Sequence, residues 1–350
     1  MFKLFCSFVT LIFLSTGCLG AETTKDWTIF IHMNGNNSLC SFAQKNLKSL
    51  ESIDVSAVAN VVVAYSCNVA NTAKVIYIQG KKETVLASGT IDFGDYNTVI
   101  KYSKMAFDKY PAKYRMLVIW NHGNGVEDSW NKDKLNRWVS LDELTNHVIT
   151  TEELGLITGT LSQYHSLDIV GFDACMMQMA EISYEMKDNI SYSLASEETE
   201  PGEGWDYASI DQSLLKHPDP ITLGKAIVDS YVTFNGGGSD LTLSLVDVKK
   251  QALFIDMFKA YIVSNKQKLY DAFNMSTSYS NFSYRDVGVA LKKVGATDLL
   301  KAYNDSVISN GNNNAGGTGF SMYYTKYPED LYSNTKFQKY TGWLSEYLGQ

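Results

Sequence analysis

Proline and cysteine are both scarce in this chain, with five of each in 350 residues. So little proline excludes a collagen-like or proline-tract protein, and 45% hydrophobic with 19% charged residues excludes a disordered one. Basic runs are absent and the net charge is -8, which argues against nucleic acid as a partner, because such binders gather Lys and Arg into a footprint. The 22 Tyr and 16 Phe lack interleaved cations and read as core and surface filler rather than a base-stacking platform. The five histidines (His32, His122, His147, His165, His217) never fall at zinc spacing, and no Cys-x-x-Cys occurs. Gly-x-Ser-x-Gly, P-loop and Gly-x-Gly-x-x-Gly patterns are missing as well, which removes the main support for a nucleophile-elbow hydrolase, an NTPase or a Rossmann dehydrogenase. No cofactor is therefore expected, with calcium dependence left open. No internal repeat is present.

What is there begins with a processing segment. Met1-Phe2-Lys3 is a cationic start, Leu4 to Leu14 an apolar run of eleven, and Ser15 to Gly20 a small-residue region suited to cleavage. The run is too short to span a bilayer, which takes about 20 residues, and no later segment qualifies. Residues 1–20 thus read as a signal peptide, with Cys18 as the lipid-attachment cysteine in an alternative lipoprotein reading. The protein is expected to be exported: secreted, periplasmic, or an outer-membrane lipoprotein. Without residues 1–20 the chain carries 29 cations against 38 anions. Its cysteines are then Cys40, Cys67 and Cys175, too few for a disulfide framework, and at least one thiol is left unpaired as a candidate reactive group.

Short apolar strands are expected at Trp27 to His32, Asn60 to Tyr65, Lys74 to Gln79, Arg115 to Trp120, Asp168 to Phe172 and Ser191 to Ala195. Helical patterns fill the intervals: Phe42 to Leu50, Val99 to Tyr110, Thr151 to Tyr164, Met176 to Lys187 and Ile221 to Phe234. This alternation predicts an α/β fold, a mostly parallel central sheet with helices on both faces. Residues 21–234 form the core on this reading. Residues 235–350 form a mainly helical C-terminal subdomain that lends strands to the sheet, with a strand at Leu241 to Val246, helices at Lys250 to Asn274 and Asp286 to Ser309, a polar stretch from Asn310 to Gly319, and a last strand, Phe320 to Tyr324, before a terminal helix.

Ligands of an open parallel sheet sit outside the carboxyl ends of its strands. One strand runs into Asn121-His122-Gly123, another into Asp173-Ala174-Cys175, and a helix makes the crossover between them. That arrangement brings a base and a thiol to one sheet edge. An imidazole can take the thiol proton and pass it to a leaving amine, and the N–H groups of Gly123 and Cys175 are candidate oxyanion donors. Taken singly, His122 is a loop residue and Cys175 a small core residue; the conjunction is what points to chemistry. Asp173 lies on the Cys175 side of its strand if the pleat persists. A carboxylate there opposes thiolate formation, so its expected partner is a substrate cation. Its alternative role is to cap a helix starting at Met176 or to hold a loop.

His122-Gly123 after an apolar strand, followed some 50 residues on by Asp173-Ala174-Cys175, resembles the clostripain family of cysteine peptidases, which share the caspase-like fold. Trp27 to Leu39 is similar to the family's first strand and turn, Leu167 to Met177 to its nucleophile strand, Glu181 to Asp188 to the helix that follows, and Ser196-Glu197-Glu198 with Pro201 to Tyr207 to its pocket strand and loop. Coverage is good from about 26 to 234 and weaker beyond. Val126 departs from the usual Trp, and Asn36 from a common Asp. The resemblance implies a caspase-like α/β/α sandwich and a cysteine endopeptidase that cuts after Arg or Lys, with Asp173 reading the cation. The pocket wall is expected to be shared with Ser196 and Glu197.

Val126 to Thr150, about 25 residues with little evident secondary structure, leaves the His122 strand end as a lid or cleavable loop. Because the family matures by cleavage between its His and Cys, Lys132, Lys134 and Arg137 are the expected self-processing sites. Protein or peptide substrates are the expected partners of a monomer. The competing interpretation is a caspase-like module that binds peptide or carbohydrate without turnover.

Overall fold

A computed structural model describes residues 24–69, 72–126, 138–236, 240–279, 283–325 and 330–345. Its centre is a nine-stranded sheet. Five parallel strands form the middle: β1 (Lys25–Asn34), β2 (Ala59–Ser66), β5 (Ala112–Trp120), β8 (Leu167–Asp173) and β9 (Ile190–Ala195), in the order β9-β8-β5-β1-β2. β3 (Ala73–Gln79) and β4 (Lys82–Gly89) extend one side as an antiparallel hairpin, and β10 (Leu241–Asp247) and β13 (Val307–Asn313) extend the other. Seven of the nine strands run in one direction, the mostly parallel sheet expected from the βα alternation.

Successive residues of the central strands bury on opposite faces, so the continuous apolar runs divide into two cores. Phe30, Val62, Leu117, Ile119, Val170 and Phe172 pack under α2 (Tyr96–Lys109), α3 (Thr151–Ser162) and α4 (Ala180–Glu185). Ile29, Ile31, Val61, Val63, Met116, Val118 and Ile169 pack under α1 (Cys40–Leu50), α5 (Tyr207–Leu214) and α6 (Pro220–Asn235). Local chemistry sets the helix starts. Asp95 caps α2, Thr150 and Glu153 form a capping box on α3, and Asp219 caps α6 ahead of Pro220.

The structure adds β4 and α5 to the expected elements and revises them at four further places. The predicted helix from Met176 to Lys187 is helical only over α4. Met176 has φ 58°, its N–H donates to the Glu198 carbonyl at 3.1 Å, and the Gln178 N–H donates to that of Ser196 at 2.8 Å. The chain there turns in the left-handed region at Met176 and then runs beside the continuation of β9 as far as Met179. The helix predicted from Asp286 to Ser309 breaks at Gly295, φ 72°, into α8 (Val287–Val294) and α9 (Thr297–Ser306) before turning into β13. The first part of the polar stretch is therefore an edge strand, whose exposed side polar residues suit. The strand expected at Phe320 to Tyr324 is β14 (Ser321–Tyr323), and it joins β11 (Ser278–Tyr279) and β12 (Tyr284–Asp286) in a separate small sheet. Lastly, the connection after His122 holds a hairpin, β6 (Trp138–Asp142) with β7 (His147–Thr150). The long α7 (Val248–Asn274) and the closing α10 (Lys336–Thr341) complete the helical layer.

Candidate active site

Adjacent parallel strands β5 and β8 pair with Trp120 opposite Asp173, so the residues just past each end lie side by side. The Asn121 N–H still donates to the Asp173 carbonyl at 3.2 Å. Two residues on, Gly123 runs so close to Cys175 that a Cβ would collide with the Cys175 carbonyl oxygen. His122 and Cys175 thus come to one edge and line a common cavity of about 250 Å³ with Asp173, Glu200, Gly202 and Gly204.

His122 is half-buried, and its ring Nε2 lies 2.9 Å from the Ser38 hydroxyl, on the turn that leaves β1. Burial lowers its pKa, partly offset by the Glu143 charge. Burial raises the Cys175 thiol, with smaller upward pushes from Glu198 and Asp173, while the Glu200 N–H, 3.3 Å from Sγ, pulls the other way. The resting pair is therefore a neutral imidazole and a neutral thiol. Cys175 is the free cysteine among the described residues, because Cys40 and Cys67 are joined in a disulfide.

Gly123 faces Val139 across an isolated antiparallel bridge. The bridging hydrogen bonds belong to its neighbours, Asn124 N–H to the Trp138 carbonyl at 3.0 Å and Ser140 N–H to the His122 carbonyl at 3.2 Å. Gly123 is thus the non-hydrogen-bonded member, and its own N–H points away from β6.

Asp173 is buried, and its Oδ2 accepts from the Tyr207 hydroxyl at 2.8 Å and the Trp205 N–H at 3.3 Å. Burial raises its pKa to about 6 against the downward pull of those donors and Glu200. The helix it was to cap on the alternative reading begins at Ala180 instead; the bonds from Trp205 and Tyr207 make Asp173 a holder of the 201–207 loop, and it also lines the cavity.

The clostripain-family model matches residues 31–342. The chain belongs to the clostripain family. A curated relative, the clostripain of Hathewaya histolytica, is 28% identical over 164 residues, which is 42% of this chain and 31% of that protein. The aligned part thus spans about a third of the relative's length. Two solved structures share the fold. A secreted C11 cysteine protease from Bacteroides thetaiotaomicron, in complex with an irreversible peptide inhibitor, is 18% identical with a TM-score of 0.72, covering 92% of this chain and 98% of that one. An inactive zymogen C11 protease from Parabacteroides distasonis is 17% identical with a TM-score of 0.67, covering 91% and 99%. The caspase-like α/β/α architecture of this clostripain-family chain is that of its neighbours.

Two expected pocket residues are not in the cavity. The Ser196 hydroxyl donates to the Glu198 carbonyl at 2.8 Å and pairs with Thr242 at 2.8 Å. Glu197 is buried on the far side, where Oε2 accepts the Gly319 N–H at 3.1 Å and Asp286 stands opposite. β9 ends at Ala195, and the chain needs several more residues to reach the cavity, which it enters at Glu200. Three glutamates within four positions gave no spacing signal to single out Glu200. Ser38 likewise lies in a turn of small polar residues, none of which its sequence context marks. Lys132, Lys134, Arg137 and Cys18 lie outside the described residues. Among the described residues no three His, Cys, Asp or Glu cluster for a metal, and no helix is long and apolar enough to cross a membrane.

Proposed function

We propose that this chain is an exported cysteine endopeptidase that cleaves peptide bonds after Arg or Lys, with Cys175 as nucleophile and His122 as general base and acid. The observation that carries this reading is the shared cavity, in which the thiol and the imidazole at neighbouring strand ends meet the buried carboxyls of Asp173 and Glu200. His122, neutral at rest, takes the thiol proton as sulfur attacks the scissile carbonyl carbon. The developing oxyanion is received by the N–H groups of Gly123 and Cys175. The imidazolium then protonates the leaving amine, and water, deprotonated by the same ring, hydrolyses the thioester. Asp173 sits at the cavity wall, braced by Tyr207 and Trp205, where a basic side chain preceding the scissile bond finds its counter-charge.

Export rests on the leader-like residues 1–20, with Cys18 as the anchor in the lipoprotein variant of this reading. Self-processing after Lys132, Lys134 or Arg137 draws support from the described flanks of that segment: Asn124 bonds to Trp138 and Ser140 to His122, so both ends start beside the site. A positional peptide library offered to the purified chain tests specificity, and intact-mass analysis of wild type against Cys175→Ala tests processing. Cleavage after Gly or Leu as readily as after Arg defeats the Asp173 role. A fully active chain that stays uncut defeats the processing.

A further inference from the structure

The opposite edge of the sheet, where the parallel strands begin, holds a second cavity of about 630 Å³. β1 spans ten residues, so this cavity lies about one strand length, roughly 30 Å, from the catalytic edge. Lys25 opens β1 and Asn60 stands near the start of β2. Tyr77, late in antiparallel β3, pairs with Val62 and so reaches the same edge, where Lys109 and Tyr110 close α2.

A hydrogen-bonded triad fixes one amine in this cavity. The Lys25 ammonium donates to Asn60 Oδ1 at 2.8 Å and to the Tyr77 hydroxyl oxygen at 3.0 Å. The Tyr77 hydroxyl donates to the same Oδ1 at 3.2 Å, and the Asn60 amide donates to the Thr28 hydroxyl at 3.1 Å. Asn60 and Tyr77 are both buried. An ammonium has three donors, so one N–H of Lys25 is left over. Both of its acceptors are neutral, and among the described residues no carboxylate pairs with Lys25 or Lys109. Asp54, the acid near enough to sense the Lys25 charge, is itself bonded to the Ser56 N–H at 2.9 Å. Holding a long side chain in one geometry costs rotamer freedom, and here the neutral partners supply no counter-charge in return.

The rest of the wall narrows the choice of anion. The Tyr110 ring stacks on Tyr77 with centroids 4.3 Å apart, which sets an aromatic surface beside the amine. Tyr110 is also the C-cap of α2, so the carbonyl end of that helix lies here. Its partial negative charge is offset by Lys109 in the last turn. One negative charge on a ligand suits that balance better than two.

We propose that this cavity is a binding site for a small organic carboxylate carried on a ring: Lys25 takes the carboxylate, Lys109 adds a second positive charge, and the Tyr77–Tyr110 pair packs against the ring. The volume, the aromatic wall and the few placed polar groups are those of a small-molecule site. Nothing in it depends on His122 or Cys175, and no bond of the ligand changes.

Calorimetric titration of the full chain with benzoate at pH 7 tests this. Benzyl alcohol lacks the charge, acetate lacks the ring, and phenyl phosphate carries a second charge. Benzoate is expected to bind with a Kd of about 1 mM or below, and about tenfold or more tighter than each of the others. Lys25→Gln should weaken it by about tenfold or more and Lys109→Gln by about threefold, while peptide cleavage at the far edge stays at the wild-type rate in both and reports an intact fold. Benzyl alcohol or phenyl phosphate that binds as tightly as benzoate overturns the proposal, as does the lack of any benzoate binding at about 10 mM. Benzoate affinity untouched by Lys25→Gln overturns it too; where that chain does not fold, unchanged affinity in Lys109→Gln, at an exposed position, has the same force.

Discussion

Replacing Gly123 by alanine adds one methyl group at the point where the His122 and Cys175 segments touch. The new Cβ would sit 3.0 Å from Met177 Cγ and 3.1 Å from its Sδ, and closer still to the Cys175 carbonyl oxygen. The thioether can swing aside; the carbonyl cannot, because it belongs to the backbone that presents the nucleophile. Ordinary contact begins near 3.4 Å, so the two segments must part by roughly 1 Å. Gly123 lies outside the left-handed region, so alanine meets no conformational penalty there and even gains about 0.4 to 1 kcal/mol from a stiffer unfolded chain. Overpacking costs about 1 to 3 kcal/mol in return, which leaves a net loss of about 0 to 2.6 kcal/mol in stability. Catalysis does not share this balance, since a misplacement of about 1 Å at the reacting groups costs about 100-fold. The expectation is a Gly123→Ala chain that melts within a few degrees of wild type yet loses about two orders of magnitude in kcat/KM on an Arg peptide, normalised by titration of the thiol. A folded Gly123→Ala chain with wild-type turnover refutes both the tight packing of these strand ends and the oxyanion role of Gly123.

Cys175→Ala is expected to remove all turnover, and His122→Ala to cost about 10²- to 10⁴-fold; steady-state assays at matched folding decide, and full activity in either removes the dyad. Asp173→Asn should cost on the order of 2 to 5 kcal/mol in kcat/KM for basic substrates while sparing neutral ones, read as the Arg-to-citrulline ratio. In wild type that ratio should hold above pH 6 and collapse below it, because protonation of Asp173, near 6, removes the counter-charge as pH falls; a ratio flat from pH 5 to 8 argues against this. Asp211, on α5, is buried with both carboxyl oxygens unpartnered, and burial lifts its pKa to about 8. The fold therefore favours its protonated form, a preference present below the unfolded value of 3.8 and lost as pH rises toward 8. Asp211→Asn should raise the melting temperature more at pH 7 than at pH 4; an equal change at both is the contrary result.

Much of this was legible because parallel strands buried on both faces appear as uninterrupted apolar runs, and their carboxyl ends carry the chemistry. His122 and Cys175 could be paired from spacing alone, since a single crossover helix separates their strands. Elements with one wet face were harder. β4 mixes exposed and half-buried residues throughout, and β13 is a polar edge. Neither sustains a pattern, and each is held by its neighbour's ladder rather than by its own composition. Ser196 and Glu197 were misplaced because adjacency to a strand end gives direction but not reach. The backbone must travel to Glu200 before it meets the cavity, and only the packing of Pro201 to Tyr207 determines where it arrives.

The Cys40–Cys67 bond bears on how the chain is made. The three cysteines among the described residues allow three pairings, and only one of them spares Cys175. Cys40 and Cys67 are 27 residues apart, whereas either alternative closes a loop of roughly a hundred residues or more, at higher entropic cost. Synthesis adds a second bias, since both partners emerge well before Cys175 and can bond while the nucleophile has yet to be made. The turn secured in this way carries Ser38, the hydroxyl that meets His122, so oxidation of the early pair readies the base before its thiol exists. Sulfur order along the polypeptide thus acts as an assembly schedule that an oxidising compartment can follow without a chaperone to protect the catalytic thiol.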